Sequence, residues 1–278
     1  MEKNSINSVN KTPILEFSRI SYSYNKFPAL SDISFNVNQG EKIVLLGANG
    51  SGKSTLLKII DGLEFADKGT YKAFGKTVNS EYLENERNSY ELRRKIGFVF
   101  QDSDVQLFSS TVFDEVAFAP LHMGFEKEEI IKRTKSAMEM MDIGGLADRP
   151  PYRLSGGEKK RVAIASVLSY SPNVWLFDEP TAGLDPRSMS RLIDFIFELN
   201  TQNNTVITAT HDLSVVPDIA ERIIVLSEDH RLVTQGSVET ILSDTSLLKK
   251  HNLIHEHMHT HRGRIHEHIH THAIIHGH

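Results

Sequence analysis

The spacing of apolar and polar residues divides the chain into predicted strands and helices. Alternation over residues 14–24 and 31–37 predicts half-buried strands. Short continuous apolar runs over 41–46, 174–177 and 205–209 are typical of strands that are buried on both faces. The chain is therefore predicted to begin with a β-rich part and to continue into a buried sheet.

Apolar residues at helical spacing lie between and after these strands. They predict helices over residues 55–62, 126–141, 158–169, 188–200 and 238–250. Because strands and helices alternate along the chain, we expect an α/β fold with a mainly parallel sheet that is covered on both faces.

The remaining segments complete the predicted organisation. The acidic stretch 79–88 is expected to be a loop or a weak helix, and residues 222–226 and 231–235 are expected to form a closing hairpin. The predicted divisions are a frayed N-terminus at 1–10, a folded domain at 11–250 with a helical lobe at about 103–168, and a tail at 251–278.

Composition narrows the class of protein. The 278 residues are 39% hydrophobic and 24% charged, which suits one large domain or one domain with a lobe. The longest apolar runs are far shorter than the roughly 20 residues that a membrane-spanning helix needs. We therefore expect a cytosolic protein that reaches a membrane only through a partner. The net charge of -5 gives no reason to expect a nucleic-acid partner, and the absence of cysteine excludes thiolate metal sites.

The strongest chemical signal is a glycine-rich segment between the strand at 41–46 and the helix at 55–62. Its pattern is that of a P-loop, in which backbone N–H groups at a helix N-terminus converge on phosphate oxygens. Lys53 is predicted to reach the β- and γ-phosphates, and Ser54 is predicted to bind Mg²⁺. The residues predicted to bind nucleotide here are Gly47, Asn49, Gly50, Ser51, Gly52, Lys53, Ser54 and Thr55.

Two carboxylates follow the buried strand at 174–177. Asp178 is predicted to hold Mg²⁺, and Glu179 is predicted to polarise the attacking water. Paired acids of this kind are, by themselves, also typical of solvated strand ends and helix caps. Their position after a P-loop favours the catalytic interpretation, because the metal needs a second anchor on a neighbouring strand.

A second phosphate-binding pattern lies at residues 154–158, where Ser155, Gly156 and Gly157 open a helix. The chain already has a P-loop, so two such helix ends imply two chains that share each nucleotide. At this segment the sequence resembles the ATP-binding cassette family, over roughly residues 14–243. The resemblance implies a RecA-like P-loop NTPase core, an antiparallel β subdomain and an inserted helical lobe that carries this signature motif.

The resemblance assigns further residues. Tyr24 matches the aromatic residue that stacks on adenine, although a simple strand aromatic is the alternative. Gln101 matches the Q-loop glutamine that contacts Mg²⁺ and water, Asp185 matches the D-loop, and His211 matches the switch histidine. The family reaction is in-line attack of water on the γ-phosphate of ATP, with Glu179 as base. A homodimer with two equal sites is the simplest assembly.

Within the family, residues 97–118 resemble the ATPases of energy-coupling-factor importers, notably the cobalt/nickel branch. This resemblance implies a transmembrane coupling protein, a small membrane subunit that captures the substrate, and a position on the cytoplasmic face of the membrane. The alternatives are a vitamin importer of the same type, a soluble ABC ATPase outside transport, and a metal-storage protein with an incidental cassette.

The C-terminal tail holds 11 of the 14 histidines. Residues 254–261 recur as 265–272, and only Met258 is replaced, by Ile269. Both an extended chain and a helix would bring several imidazoles to one face, so either conformation can chelate Ni²⁺, Co²⁺ or Zn²⁺. A purification tag and a merely polar tail are the alternatives. The predicted ligands are His255, His257, His259, His261, His266, His268, His270 and His272.

Overall fold

The computed structural model describes residues 12–201, 203–261 and 264–271, with backbone only for 200–201 and for the part of the tail after Ile254. The strands are β1 (Leu15–Tyr24), β2 (Phe27–Val37), β3 (Lys42–Leu46), β4 (Lys68–Ala73), β5 (Lys76–Thr77), β6 (Ile96–Val99), β7 (Val174–Asp178), β8 (Thr205–Thr210), β9 (Arg222–Leu226), β10 (Leu232–Ser237), β11 (Ile254–His261) and β12 (Arg264–Thr271). The helices are α1 (Lys53–Asp61), α2 (Ser80–Glu84), α3 (Glu86–Lys95), α4 (Ser103–Gln106), α5 (Val112–His122), α6 (Lys127–Met140), α7 (Gly156–Leu168), α8 (Pro186–Thr201), α9 (Val216–Ile219), α10 (Val238–Ser243) and α11 (Thr245–Lys250).

A six-stranded sheet forms the centre of the fold, in the order β10-β9-β3-β8-β7-β6. All of its neighbouring strands are parallel except β10, which runs antiparallel to β9. Its inner strands are buried along their length, which explains their continuous apolar sequences. The mainly parallel sheet predicted from the alternation of elements is confirmed. In such a sheet, the loops at the carboxyl ends of the strands are where ligands bind.

A second, antiparallel sheet has the order β2-β1-β4-β5. Aromatic rings fill its inner face: the centroid of Phe17 lies 4.3 Å from that of Phe35 and 4.8 Å from that of Tyr71. Apolar residues of α1 belong to the same core, so this sheet packs over the helix that follows the P-loop. The antiparallel β subdomain is therefore present as expected.

A group of helices forms the lobe that precedes β7. Helix α5 packs against both α6 and α7, and Val112, Val116 and Met138 are buried where they meet. Thr111 begins α5 by accepting a bond from the N–H of Asp114. The lobe shares a continuous apolar core with the central sheet, because the cluster also contains Trp175 and Phe177 of β7.

Several boundaries differ from the sequence prediction. Strand β2 begins at Phe27 rather than at residue 31, and the stretch expected to be a loop or weak helix folds as α2 and the start of α3. Asn79 and Asn85 cap these helices through their side-chain oxygens, which offsets their few apolar residues. The single helix expected over 238–250 is divided into α10 and α11 at Asp244, whose carboxylate accepts from the N–H of Leu247.

The chain after α11 stays in contact with the folded domain for a few residues. Leu253 is fully buried and Ile254 is 5% exposed, and both belong to the main apolar core. Strands β11 and β12 then form an antiparallel hairpin. His272 lies outside the described residues. Among the helices described, none has both the length and the apolar character needed to cross a bilayer.

Candidate functional site

The P-loop joins β3 to α1 with two glycines in the left-handed region, Gly50 at φ 82° and Gly52 at φ 102°. Gly52 immediately precedes α1, and a Cβ atom there would lie 2.2 Å from the carbonyl oxygen of Ala29. Only glycine fits such a close approach at this φ. The loop therefore lies against β2, with the N-terminus of α1 and its free N–H groups at the site.

Lys53 lies inside this loop and is 5% exposed. Its Nζ donates to the carbonyl oxygens of Gly47, at 2.8 Å, and Ala48, at 3.1 Å. Burial lowers the pKa of the Lys53 ammonium, and the nearby carboxylates of Glu179 and Asp178 oppose that shift. A phosphate group would add further negative charge beside the ammonium and favour its protonated form.

Ser54, in the first turn of α1, contacts Asp178 at the end of β7. The hydroxyl of Ser54 donates to Oδ1 of Asp178 at 2.9 Å. Burial raises the pKa of the Asp178 carboxyl, while the bond from Ser54 lowers it and Glu179 raises it further. A hydroxyl and a carboxylate held together form the all-oxygen set that Mg²⁺ prefers, and a bound cation would offset the unfavourable burial of the carboxylate.

Glu179 follows Asp178 with φ 42°, a left-handed conformation that a residue with a Cβ rarely adopts. The residue is 5% exposed, and its carboxylate accepts from Thr210 Oγ1 at 3.1 Å. Nδ1 of His211 lies 2.8 Å from Oε1 of Glu179, and Nζ of Lys53 lies 3.6 Å from the same oxygen. Strained backbone of this kind concentrates at functional sites, so the conformation supports a catalytic role for Glu179.

A cavity of about 400 Å³ brings most of the predicted residues together. Its lining includes the predicted Tyr24, Asn49, Gly50, Gly52, Lys53, Ser54, Thr55, Gln101 and Glu179. It also includes residues that the sequence did not identify, Phe27, Pro28, Ala29 and His230. The sequence signal for Phe27 was an aromatic residue only three positions after Tyr24. His230 lies on a distant turn, and no sequence pattern marked it as a site residue.

The second predicted phosphate-binding helix end does not line this cavity. Ser155 caps α7 in a reciprocal arrangement, since its hydroxyl accepts from the N–H of Glu158 while the Glu158 carboxylate accepts from the N–H of Ser155. A Cβ atom at Gly156 would meet no atom within 4 Å. This helix end is thus an open surface. Asp185 is also outside the cavity, where its carboxylate caps α8 by accepting from Arg187 and Ser188.

Similarity to known proteins agrees with this geometry. Residues 30–182 match the family model described as ABC transporter. The chain belongs to the ATP-binding subunits of ABC transporters. It is 43% identical over 246 residues to the nickel import ATP-binding protein NikO of Rhodobacter capsulatus, covering 87% of this chain and 96% of that protein. It is 42% identical over 242 residues to the energy-coupling factor transporter ATP-binding protein EcfA of Carboxydothermus hydrogenoformans, covering 86% of each.

Solved structures give the same result for the fold. The ABC protein cbiO1 of Clostridium perfringens, described as part of the transporter complex cbiONQ, has a TM-score of 0.73 at 36% identity and covers 87% of this chain and 96% of its own. A dimeric ATP-binding cassette in a post-hydrolysis state, bound to ADP and Pi, has a TM-score of 0.73 at 29% identity. The match covers 81% of this chain and 98% of that cassette. This ABC subunit is thus an ATPase with the cassette fold, and its cavity between β1, β2 and the P-loop holds many of the residues predicted to bind nucleotide.

Proposed function

We propose that this ABC ATPase drives uptake of a divalent metal ion, Co²⁺ or Ni²⁺, as the motor of an energy-coupling-factor-type importer. The observation that carries the motor function is the meeting of Lys53, Ser54, Asp178, Glu179 and His211 at one site. Support for the metal comes from the similarity to NikO and cbiO1 and from the sequence of residues 97–118. The similarity to EcfA supports the importer type, and a vitamin importer of that type is the alternative.

Residue roles follow from the contacts at the site. Gly47–Thr55 N–H groups and Lys53 hold the phosphates, and Tyr24 stacks on the adenine. Ser54, Asp178 and Gln101 would hold Mg²⁺, which would supply positive charge against the phosphate oxygens. Glu179 accepts the proton of the attacking water. His211 contacts Glu179 through Nδ1, which leaves Nε2 for the γ-phosphate.

A homodimer completes each site in this proposal. Ser155, Gly156 and Gly157 end on an open surface away from the chain's own cavity, so they are available to the nucleotide of a second copy. Asp185 lies at the start of α8, where it fixes the loop between Glu179 and that helix. A two-fold arrangement would give two equal sites, each built from the P-loop of one copy and α7 of the other.

Membrane attachment is proposed at a groove of about 450 Å³ between α3 and α5. Tyr90 and Phe118 line it, and Phe108, which packs edge-on against Phe118, is 67% exposed beside it. Leu121 of the same helix is 60% exposed. An apolar strip of this kind, formed by residues on both sides of Gln101 in the chain, suits the helices of a transmembrane coupling protein. The subunit would then lie on the cytoplasmic face of the membrane.

Introduction of a charge into this strip tests the docking surface. Phe118→Glu, in the lining of the groove, should abolish co-purification with the membrane partners and leave the ATPase activity of the free subunit unchanged. Met140→Glu is the matched control, because Met140 is 53% exposed on α6, outside the groove. Loss of co-purification by both variants, or by neither, would reject the groove as the docking surface.

Transport assays test the cargo. The complex with its membrane subunits, placed in vesicles with ATP, should accumulate Co²⁺ or Ni²⁺, and Glu179→Gln should stop accumulation. Uptake of a vitamin but neither metal would reject the cargo. Co-purification with ribosomes and never with membranes would instead support a soluble ABC ATPase.

We further propose that the histidine-rich tail binds Ni²⁺, Co²⁺ or Zn²⁺. In the register of β11 and β12 three pairs of histidines are opposite one another: His255 with His270, His257 with His268, and His259 with His266. Alternate residues of a strand share a face, and opposed positions are about 5 Å apart at Cβ. Imidazole suits these ions. His261 is opposite Arg264, and His272 is outside the described residues.

Calorimetric titration of the full chain with Ni²⁺ tests this pairing. The double variants His257→Ala/His268→Ala and His257→Ala/His266→Ala each remove two imidazoles, but the first removes one opposed pair and the second damages two. If the pairs bind metal, the second variant should lose more binding sites than the first. Equal losses would reject the pairing, and no binding by the wild type would reject a metal-binding tail. Removal of residues 255–278 should leave ATP hydrolysis intact. Loss of ATP hydrolysis in this variant would support the metal-storage alternative.

A further inference from the structure

Lys160 is a buried cation on α7, one turn after the signature motif. It is 4% exposed, and its Nζ donates to two backbone carbonyls, that of Phe100 at 3.0 Å and that of Gln101 at 2.9 Å. A buried ammonium costs free energy unless its donors are used. Within the described residues it forms no ion pair at 4.0 Å or less, so the Q-loop carbonyls are its polar partners.

Gln106 connects the same segment to α7 from the other side of the backbone. Its side-chain oxygen accepts from the N–H of Phe100 at 3.2 Å, and its amide donates to the carbonyl of Ala163 at 3.0 Å. The N–H and the C=O of Phe100 are therefore both tied to α7, one through Gln106 and one through Lys160. The backbone just before Gln101 has little freedom to move independently of that helix.

A third connection is more exposed and weaker. Nζ of Lys159 lies 2.6 Å from Oδ1 of Asp104, and the Asp104 side chain is 66% exposed. Exposed ion pairs of this kind contribute little. The adjacent Lys159 therefore provides a matched control, since it carries the same charge on the same helix but does not contact the backbone of the Q-loop.

We propose that Lys160 is a positioning residue, which holds the backbone of Gln101 in a fixed relation to the signature helix. The proposal rests on the proposed role of Gln101 at the metal and the attacking water. Lys160 itself does not line the nucleotide cavity. Its effect would be to make the position of Gln101 depend on the position of α7.

Amide hydrogen exchange of the nucleotide-free full chain tests the proposal without any bound metal. Hydrogen bonds from a charged donor stabilise the backbone that accepts them. Their loss in Lys160→Met should therefore speed amide exchange over residues 98–102 about tenfold. Lys159→Met should change exchange there by less than about threefold. In turnover assays, Lys160→Met should raise the Mg²⁺ concentration for half-maximal activity, while its affinity for ATP without Mg²⁺ stays at the wild-type value.

Equal exchange in Lys160→Met and wild type would overturn the proposal, as would equal effects of the two lysine variants. If Lys160→Met does not fold, Lys160→Gln provides the test, because it removes the charge and shortens the donor, and it should also speed exchange over residues 98–102. Absence of ATPase activity in the wild type would contradict the proposed function and leave the exchange result valid, so the two failures are distinguishable.

Discussion

Nδ1 of His211 lies 2.8 Å from Oε1 of Glu179, so the predicted switch histidine contacts the proposed base directly. The same carboxylate accepts from Thr210, and Lys53 approaches it at 3.6 Å. Three donors thus surround one acid that is almost completely buried. When Glu179 is ionised, these contacts orient it, which is what a base acting on a bound water requires.

Replacement of Glu179 tests this assignment. Glu179→Gln keeps the size of the side chain but removes the basic oxygen, so turnover should fall at least about 100-fold. ATP binding should be retained, and size-exclusion chromatography with ATP should detect a stable dimer. Turnover close to the wild-type rate would remove Glu179 from the role of base.

Two aromatic residues at the base end of the cavity are distinguishable by mutation. Tyr24 is 39% exposed and Phe27 is 76% exposed. Base–aromatic stacking is worth about 1–3 kcal/mol, so Tyr24→Ala should weaken ATP binding by roughly 5-fold to 150-fold in calorimetric titrations. Tyr24→Phe, which keeps the ring, should bind as the wild type does. A loss on Phe27→Ala with none on Tyr24→Ala would transfer the stacking role to Phe27.

Two P-loop glycines should respond differently to alanine. Gly52→Ala combines a left-handed φ with a Cβ only 2.2 Å from the carbonyl of Ala29, and it should lower the free energy of unfolding by about 2–4 kcal/mol. Gly50→Ala meets no atom within 4 Å, so strain alone should cost about 1 kcal/mol. Denaturant titration measures both. Equal losses of unfolding free energy in the two variants would show that the close approach to Ala29 does not destabilise Gly52→Ala.

Asp61, at the end of α1, should make stability depend on pH. Burial raises the pKa of its carboxyl to about 7, and Arg93 opposes the shift. In the unfolded chain the pKa of an Asp carboxyl is about 3.9. Between about pH 4 and pH 7 the folded protein therefore binds a proton that the unfolded chain has lost. The free energy of unfolding falls as the pH rises through this range. Asp61→Asn should remove this fall.

Asp61 is partly exposed, which weakens the effect of its charge. The free energy of unfolding of Asp61→Asn at pH 8 should therefore exceed that of the wild type by only about 1–2 kcal/mol. Thermal or urea unfolding at pH 5 and pH 8 measures it. The exposed Asp148→Asn is the control and should show no change in the difference between the two pH values. A pH-independent difference for Asp61→Asn would contradict the raised pKa.

The sequence predicted the elements whose signal is local. Strand β3, the P-loop and α1 follow one another without interruption, so both the fold and the chemistry of Gly47–Thr55 are contained in nine neighbouring residues. Strand β6 was not predicted, because four buried residues are too short a run to distinguish from the helix before it. Helix α3 buries only Leu92, so its apolar pattern is weak and its asparagine cap decides its start.

Contacts between distant parts of the chain could not be predicted from the sequence. A lysine on a helix is normally solvated, and only the packing of α7 against the Q-loop gives Lys160 its two carbonyl partners. His230 reaches the nucleotide cavity because the turn after β9 lies beside β2, where its carbonyl accepts from the N–H of Ser31. The hairpin register of the tail likewise depends on pairing between two repeats of the same sequence.

The contact between Gly52 and Ala29 has a consequence for substrate selection. Ala29 belongs to β2, which pairs with β1 so that Tyr24 is opposite Phe27. The predicted stacking ring of Tyr24 and the phosphate loop are therefore connected through the paired strands β1 and β2. We therefore expect strand pairing to set the spacing between base and phosphates that the site accepts.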